Sequence, residues 1–343
     1  FYYINLIFNN EVLTMTDKYD KYESMDEIDK LKFLADVANM YYNLNMTQID
    51  ISKELCTTRF KVAKLLQDAK DMGVIEISIK QPIERNTELE NKFKSIYSLK
   101  NALILDTKNI YEDEIMSSTC KLAAQYIDSI VTENSIIGIT WGKTLFNTIR
   151  YIKPKLKLPI TAVQVLGSAT KNNFHLDSPE LVKEMANIYG GTCKILFSPL
   201  YIENDYVRDG LLHEPVISNT LHIASKADII LTGISSKLIS HYSTSWLDNE
   251  IDSKNFDEPS SQIVGSIFGR AFDENGFFID NNTNRKVVGL NPFILSNAKH
   301  SICITSDLHK SDALLGALKG KLINTIIIVD LTASKILYLD KYK

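Results

Sequence analysis

The chain has 343 residues, 45% of them hydrophobic and 23% charged, and its formal net charge is −4. This length is enough for a small domain and a large one, each with its own hydrophobic core. The acidic balance excludes a protein that binds nucleic acid over its whole surface, because such surfaces are basic, so any DNA contact must be local.

Cysteine usage and hydropathy narrow the class further. The four cysteines are scattered, with no C-x-x-C pair and no histidine pair at ligand spacing, which argues against a zinc site and a disulfide framework. No run of about 18 apolar residues is present, so the sequence predicts no membrane span. We therefore expect a cytoplasmic protein with no metal, no cofactor and no membrane partner.

Residues 1–26 are expected to form a disordered leader. The opening FYYINLIFNNEV has no basic region and no small-residue cleavage site, so it does not match a signal peptide. Met15 begins a more ordinary start, and we expect residues 1–14 to be upstream sequence.

Residues 47–70 have the pattern of two short helices around a tight turn. Helical spacing predicts that six apolar side chains face one core: Ile49, Ile51, Leu55, Val62, Leu65 and Leu66. The second helix starts near Thr58 and carries Arg59, Lys61 and Lys64 without an acid in its first two turns. Its start is therefore polar and cationic.

Two interpretations of this segment remain open. Hydroxyls and free amides at a helix start can bind phosphate, and Arg or Lys one turn on can reach bases in the major groove, as in a helix-turn-helix. A small helical bundle without DNA can show the same pattern. A preceding amphipathic helix, and a stop at Gly73 followed by a predicted β-wing, favour a winged helix-turn-helix over residues 27–80. Its predicted DNA contacts are Thr47, Gln48, Thr57, Thr58, Arg59, Lys61 and Lys64.

A polar linker is predicted over residues 81–87, because Pro82 cannot continue a strand ladder. A helix over residues 88–98 follows, and it could pair with a partner chain or belong to a core. Beyond it, apolar runs such as ALILD, SIIGIT and NTIIIVD alternate with amphipathic helices. This alternation predicts an α/β fold with a doubly wound, mainly parallel sheet.

Ligands bind such sheets at the loops that leave the carboxyl ends of the strands. The WGKT motif at residues 141–144 occupies one of these loops, where Gly142 permits close approach and the free amides of the next helix favour an anion. A strand-to-helix turn with a packing Trp explains the motif equally well. Comparable positions elsewhere are Gly167, Ser168, Thr170, Gly233, Ser235, Ser236 and Lys310. If these loops converge at one edge, they would form a pocket for a small polar molecule.

No nucleophile and base arrangement is evident. The sequence lacks the G-x-S-x-G, H-E-x-x-H and G-x-G-x-x-G motifs. This absence points to ligand sensing in preference to turnover.

Ordered motifs in both halves carry a family resemblance. The family core Ser-Arg-x-x-Val-x-Arg corresponds to TRFKVAK at residues 58–64, and GITWGKTL, VQVLGSA, SPLYI, HEPVISNTLHIASKADIILTGI, VGSIFGRAFDENG and KSDALLGALKGKLINTIIIVDLTAS follow in order. On these motifs the chain resembles the SorC family of sugar-binding bacterial transcriptional regulators over residues 30–335.

The resemblance implies a homodimeric or homotetrameric repressor or activator whose partners are operator DNA and a sugar or sugar phosphate. It also implies that residues 88–343 form the effector-binding and oligomerisation domain, with a fold resembling phosphosugar isomerases and CoA-transferases. Carried over by motif, the effector site comprises Gly138, Thr140, Trp141, Gly142, Lys143, Thr144, Gly167, Ser168, Gly233, Asp273 and Lys310.

The chain departs from the family pattern at several positions. Cys56 stands where the family has a turn glycine, Phe60 where proline is common, and VGS replaces Val-Gly-Asp. The last change removes an acid, and the second loop lacks an arginine that phosphosugar-binding members often place there. Together these departures favour an altered or non-phosphorylated effector. Besides the regulator, we consider an alternative function: a sugar-phosphate isomerase-like enzyme with a helical appendage, using Lys310 and Asp273 as acid and base.

Overall fold

The computed structural model describes residues 22–75, 83–169, 174–236 and 262–342, together with two short strands before them. These strands, β1 (Leu6–Phe8) and β2 (Glu11–Leu13), pair antiparallel. The predicted wing strand at residues 76–80 and the pocket candidate Thr170 lie outside the described residues. The chain divides into two compact units, Phe1–Pro82 and Ile83–Lys343.

The first unit contains three helices that share one core. They are α1 (Glu27–Tyr42), α2 (Gln48–Glu54) and α3 (Arg59–Asp71). Asp26, Thr47 and Thr58 precede them, and each side chain accepts the N–H three residues further on, which fixes the helix start. The fully buried core side chains include Phe33, Leu34, Val37, Ile51, Leu55, Val62, Leu65, Leu66 and Ala69. Five of the six apolar positions predicted to face inward do so, whereas Ile49 is 52% exposed.

Residues 22–26, expected to belong to a disordered leader, are ordered in the structure. Tyr22 lies in a 3-10 turn, and its ring packs against Phe33 with the ring centroids 5.5 Å apart. The Tyr22 hydroxyl donates to Asp68 at 3.3 Å, and burial next to this carboxylate raises the pKa of Tyr22 to about 12. Leader residues next to α1 are therefore held by the helical core.

The second unit alternates strands and helices. Its strands are β3 (Asn101–Leu105), β4 (Ile136–Ile139), β5 (Thr161–Gln164), β6 (Thr192–Lys194), β7 (Ile229–Thr232), β8 (Ser235–Ser236), β9 (Gly265–Ile267), β10 (Arg270–Phe272), β11 (His300–Ile304) and β12 (Thr325–Val329). Its helices are α4 (Thr87–Tyr97), α5 (Glu112–Ile130), α6 (Lys143–Tyr151), α7 (Ser178–Tyr189), α8 (Asp205–His213), α9 (Pro215–Ala224), α10 (Asn282–Arg285), α11 (Pro292–Ser296), α12 (Ser311–Lys319) and α13 (Asp330–Tyr342). None of the helices in the described ranges is both long and apolar enough to span a membrane.

Seven of these strands form one sheet in the order β3-β12-β11-β7-β4-β5-β6, and every neighbouring pair is parallel. The prediction of a mixed α/β fold with a mainly parallel sheet is confirmed. From the adjacent central strands β4 and β7 the chain runs outward in opposite directions, to β6 on one side and through β11 to β12 on the other. Loops that diverge in this way open a crevice at the carboxyl ends of β4 and β7.

Side chains of the sheet alternate between two cores. In β12, Ile326 and Ile328 belong to one apolar cluster, while Ile327 and Val329 belong to the other. Helices cover both faces, because a parallel strand buried on both sides needs a helix layer on each. The apolar runs seen in the sequence follow from this arrangement.

Residues 83–86, which the sequence assigned to the linker, are part of the second unit. Arg85 forms an isolated antiparallel bridge with Leu105, and its guanidinium pairs with Glu90. The Asn86 side chain caps α4, which starts at Thr87. The linker is therefore shorter at this end than the sequence predicted.

A small antiparallel sheet, β10-β9-β8, extends from the carboxyl end of β7. β8 lies beside the 3-10 turn Leu308–Lys310, which follows β11. At its other margin, the β9–β10 hairpin turn at Gly269 approaches Trp141 of the β4–α6 loop. The small sheet thus joins the loops of two strands of the main sheet.

Candidate functional sites

The exposed start of α3 is the first candidate site. Thr58 caps it, accepting from the Lys61 N–H at 3.4 Å, and its first turn contains no acid. Arg59, Lys61 and Lys64 are all exposed. Positive side chains at a helix start that contains no acidic residue give a local surface suited to phosphate and base contacts.

The turn before α3 has the geometry that a turn glycine would supply. Cys56 has a φ of 48°, in the left-handed region. The N–H of Thr57 donates to the Ser52 carbonyl at 2.8 Å, and that of Cys56 to the Lys53 carbonyl at 3.2 Å, which together close the end of α2. The cysteine therefore preserves the turn, with the steric cost that a Cβ brings to this conformation.

Thr47 has a role within α2. Its hydroxyl accepts from the Asp50 N–H, and the Asp50 carboxylate accepts from the Thr47 N–H at 3.2 Å, so the two residues form a capping box. The Thr47 hydroxyl also donates to the same carboxylate at 2.5 Å. These hydrogen bonds lower the pKa of Asp50. The predicted phosphate contact by Thr47 would have to compete with this carboxylate, so the position is better explained as a helix cap.

A groove of about 590 Å³ lies beside the start of α2. Arg59 and the predicted contact Gln48 line it together, next to the exposed Ile49. Its remaining lining residues are Tyr41, Tyr42, Asn45, Met46 and Thr47. Thr57 and Thr58 lie in the turn and cap just before Arg59, so the predicted DNA contacts of α2 and α3 share one region of the first unit.

The carboxyl edge of the large sheet is the second candidate site. Loops after the four adjacent strands β11, β7, β4 and β5 carry nine of the eleven predicted effector residues or lead to them; Gly138 lies within β4, and Asp273 lies elsewhere. Thr140 links the two central strands, because its N–H and hydroxyl donate to the Leu231 carbonyl at 3.1 and 3.3 Å. The divergence of β4 and β7 thus places the WGKT loop next to Gly233.

Four predicted glycines fall into two classes. A Cβ on Gly138 would lie 2.5 Å from the Ile230 side chain, and one on Gly167 would lie 2.2 Å from the Pro199 carbonyl oxygen. Both glycines therefore serve packing against protein. By contrast, a Cβ on Gly142 would have no heavy atom within 4 Å, and one on Gly233 would meet only the Trp141 carbonyl oxygen at 3.8 Å. The open glycines are the ones a ligand can approach.

Gly142 sets the start of α6. Its φ of 129° suits glycine alone, and no side chain caps the helix. Lys143 is exposed at the first position, and Thr144 is partly buried at the second. Backbone N–H groups at an uncapped helix start at the sheet crevice can receive an anion.

Lys310 ends the 3-10 turn after β11 and directly precedes α12. Its side chain is mostly buried, and this burial lowers the pKa of the ammonium, with Asp307 acting weakly in the opposite direction. Within the described ranges no carboxylate lies in ion-pair distance of it. A desolvated cation at a ligand-binding edge is suited to an anionic group.

Two predicted effector residues are engaged within the protein. Ser168 has its N–H bonded to the Ser198 carbonyl at 2.8 Å, and its hydroxyl lies 3.5 Å from Gln164 Nε2. Asp273 closes its own turn, since its carboxylate accepts from the N–H groups of Asn275 and Phe277, each at 2.9 Å. The structure does not bring Asp273 to the crevice, because it lies beside Gly316 in the later half of α12.

Sequence reasoning missed Arg270. It heads β10, and its Nη1 donates to the Phe268 carbonyl at 3.2 Å and lies 3.5 Å from that of Leu290. Burial lowers its pKa to about 10. Arg270 therefore lies in β10, at one margin of the small sheet, and Lys310 lies in the turn beside β8, at the other margin. Nothing in the sequence pattern distinguishes this arginine from a surface one.

No group of three potential metal ligands occurs among the residues that the structure describes. The cavity next to Asp228 and Phe293, about 500 Å³, lies at the start of β7 and not at the carboxyl edge. The site chemistry of the described chain is therefore that of backbone amides, hydroxyls and two partly buried cations.

Known proteins resemble most of the chain. Residues 81–338 match the family model described as "Putative sugar-binding domain". The sorbitol operon regulator of Klebsiella pneumoniae is 24% identical over 310 residues, covering 88% of this chain and 96% of the relative. The deoxyribonucleoside regulator of Bacillus subtilis is 24% identical over 308 residues, covering 89% and 97%. The crystal structure of the full-length SorC regulator from Klebsiella pneumoniae matches with a TM-score of 0.68 at 24% identity, covering 91% of this chain and 99% of that one.

Proposed function

Because the chain belongs to the sugar-binding domain family of transcriptional regulators, we propose that it binds an operator and that a sugar or sugar phosphate controls this binding. The observation that carries the proposal is the acid-free, cationic start of α3, joined in one chain to an open ligand-binding edge. The names of the relatives support a regulator, and no enzymatic family is among them.

On the DNA side, the first unit acts as a winged helix-turn-helix in which α2 supports and α3 reads. Arg59 and Lys61 contact bases or backbone, and Thr57, Thr58 and Lys64 contact phosphates. The left-handed Cys56 supports this assignment, because it keeps the turn that sets α3 against α2. Gln48 lines the same groove as Arg59 and is proposed as a further backbone contact.

On the effector side, the second unit acts as an isomerase-like sugar-binding domain. Gly142 and Gly233 admit the ligand, and the start of α6 with Thr144 receives its polar groups. Lys310 binds an anionic group, and Arg270 contributes positive potential across the small sheet. This charge supports a phosphorylated or otherwise anionic effector. Lys143 is exposed at the rim of the same loop.

The isomerase alternative receives no support from the site. Acid-base catalysis would need Lys310 and Asp273 to face one substrate, and Asp273 instead accepts two N–H groups of its own turn. A sheet of this type hosts many functions, so the fold does not favour an enzyme.

The effector controls operator binding through thermodynamic linkage. A ligand that binds one arrangement of a homodimer or homotetramer better shifts the population towards it, and operator affinity changes by the difference in binding free energy. A regulator of this kind acts where the bacterial chromosome lies, so we place it in the cytoplasm.

The test is fluorescence anisotropy on DNA from upstream of its own operon, titrated with salt and with a panel of sugars and sugar phosphates. We expect tight, salt-sensitive binding that one compound alters, and a loss of about 1–3 kcal/mol in Arg59→Ala if this residue makes a bidentate base contact. Lys183→Ala, an exposed change in the second unit, is the matched control. Binding no tighter than to unrelated DNA would overturn the proposal.

A further inference from the structure

Phe60 occupies the second position of α3 and is 85% exposed. No apolar core of the described chain includes it. A buried phenylalanine stabilises a fold by removing apolar surface from water, and at this position that gain is forgone. The fold of the first unit therefore gives no reason for an aromatic residue here.

The helix period places Phe60 at the centre of the outward face. The buried side chains of α3 are Val62, Leu65, Leu66 and Ala69. At 100° per residue, Phe60 and Lys64 point directly away from them, and Arg59 and Lys61 lie to either side. Phe60 is thus an apolar patch enclosed by three exposed cations.

This combination matches one feature of DNA. Cations suit the phosphate backbone, and the apolar group that base pairs present in the major groove is the thymine 5-methyl. Residues in the first turns of a recognition helix are the ones that reach base edges. A partner protein is the less favoured occupant, because Phe60 is the one exposed apolar side chain in the first turn of α3, Val62 being buried in the core.

We propose that Phe60 is a specificity-determining residue that packs on the 5-methyl group of a thymine in each half of the operator. The inference rests on the proposed function and deepens it, since it names a base that the site selects. Arg59 and Lys61 position the helix, and Phe60 favours thymine over cytosine by contact with the methyl group.

The test uses a DNA site selected from a random library by the full chain. Each thymine of the site is replaced in turn by deoxyuridine, which removes only the methyl group, and Kd is measured by anisotropy at one salt concentration. We expect one thymine in each half-site at which the change weakens binding about fourfold, the factor for one buried methyl-sized group at about 0.8 kcal/mol. In Phe60→Ala, thymine and deoxyuridine at this position should bind equally.

Two variants serve as controls. Ile28→Ala removes an apolar residue that is 65% exposed on α1, and Lys64→Ala removes a cation from the same face of α3. Both should keep the fourfold ratio, whatever they do to overall affinity. Because Phe60 is exposed, Phe60→Ala should have the same thermal unfolding midpoint as the wild type. Loss of the fourfold ratio in this variant would then not be caused by unfolding.

The outcomes separate the two proposals. Tight operator binding with no thymine sensitive to deoxyuridine, or a fourfold ratio that persists in Phe60→Ala, would overturn the inference and leave the regulator intact. Failure to select any DNA site would overturn the regulator, and this inference with it.

Discussion

Arg85 and Glu90 form a two-pronged ion pair, in which Nε and Nη2 of the arginine each donate to one carboxylate oxygen at 2.7 Å. The Glu90 side chain is 4% exposed and the Arg85 side chain 43% exposed. Glu90 also accepts the N–H of Ile104 in β3 at 2.9 Å. One buried carboxylate therefore ties the start of the second unit, α4 and the edge strand together.

Removal of Arg85 should cost more than removal of Glu90. Arg85→Ala leaves a buried carboxylate without its charged partner, and we expect the free energy of unfolding of the second unit to fall by about 3 kcal/mol. Glu90→Ala leaves the Ile104 N–H without its acceptor while the partly solvated Arg85 stays hydrated, and it should cost about 2 kcal/mol. Urea denaturation measures both. A larger loss in Glu90→Ala than in Arg85→Ala would contradict the assignment.

Cys56 should tolerate replacement by glycine better than any other residue of the turn. Cys56→Gly relieves the left-handed conformation, and the net gain in the free energy of unfolding of the first unit is expected to be about 0.5–1 kcal/mol. Cys56→Ala keeps the Cβ and should change little. The thermal unfolding midpoint of the first unit distinguishes the two variants, and a lower midpoint in Cys56→Gly would argue against strain at this turn.

Substitution of a packed glycine should lower stability, whereas substitution of an open glycine should lower effector affinity. Gly138→Ala forces a methyl group against Ile230 and Val165, and should lower the free energy of unfolding by about 1–3 kcal/mol. Gly233→Ala has space for its methyl group, so stability should stay within about 0.5 kcal/mol while effector affinity falls. Denaturation together with calorimetric titration of the effector measures both quantities. Unchanged effector affinity in Gly233→Ala would remove this glycine from the site.

Lys310→Met should lower effector affinity while it raises the stability of the second unit. It removes a charge that interacts with an anionic effector, and we expect at least a roughly tenfold loss of effector affinity. It should also raise the free energy of unfolding at neutral pH, because a desolvated ammonium without an acid partner opposes folding. Lys183→Met, at an exposed position outside the site, is the matched control. Full effector affinity in Lys310→Met would show that the anion lies elsewhere.

The pKa of Lys310 gives a pH dependence of defined sign. Burial lowers this pKa in the folded state, so between the folded value and the ordinary 10.5 the unfolded chain binds more protons. Stability of the wild type therefore rises with pH through this window, where the penalty for burying the charge disappears. The stability advantage of Lys310→Met should shrink as pH increases. An advantage that is constant or grows with pH would contradict the burial effect.

Local features of the fold were predictable from the sequence. Thr47 and Thr58 were placed at helix starts, and the apolar runs predicted a parallel sheet, because capping and hydrophobic periodicity depend on neighbours along the chain. Thr47 also shows the limit, since its hydroxyl donates locally to the Asp50 carboxylate in addition to the capping-box bonds. A sequence pattern marks such a position without showing which partner takes it.

Features that depend on distant neighbours were not predictable. Gly138 and Gly142 are four residues apart and look equivalent, yet Ile230 packs on the first and nothing packs on the second. Asp273 was placed in the site by its motif, and the fold turns its carboxylate to its own loop. Arg270 is partly buried beside the Phe268 and Leu290 carbonyls, of which the second comes from a distant loop. Each outcome depends on tertiary contacts that no local spacing encodes.

The central claim is that operator and effector are coupled through one chain, and calorimetric titration of the effector with and without saturating operator tests it most directly. Thermodynamic linkage requires the effector affinity to change by the same factor as the effector changes operator affinity, and we expect about 5- to 150-fold. Equal effector affinity in the presence and absence of operator would contradict the account.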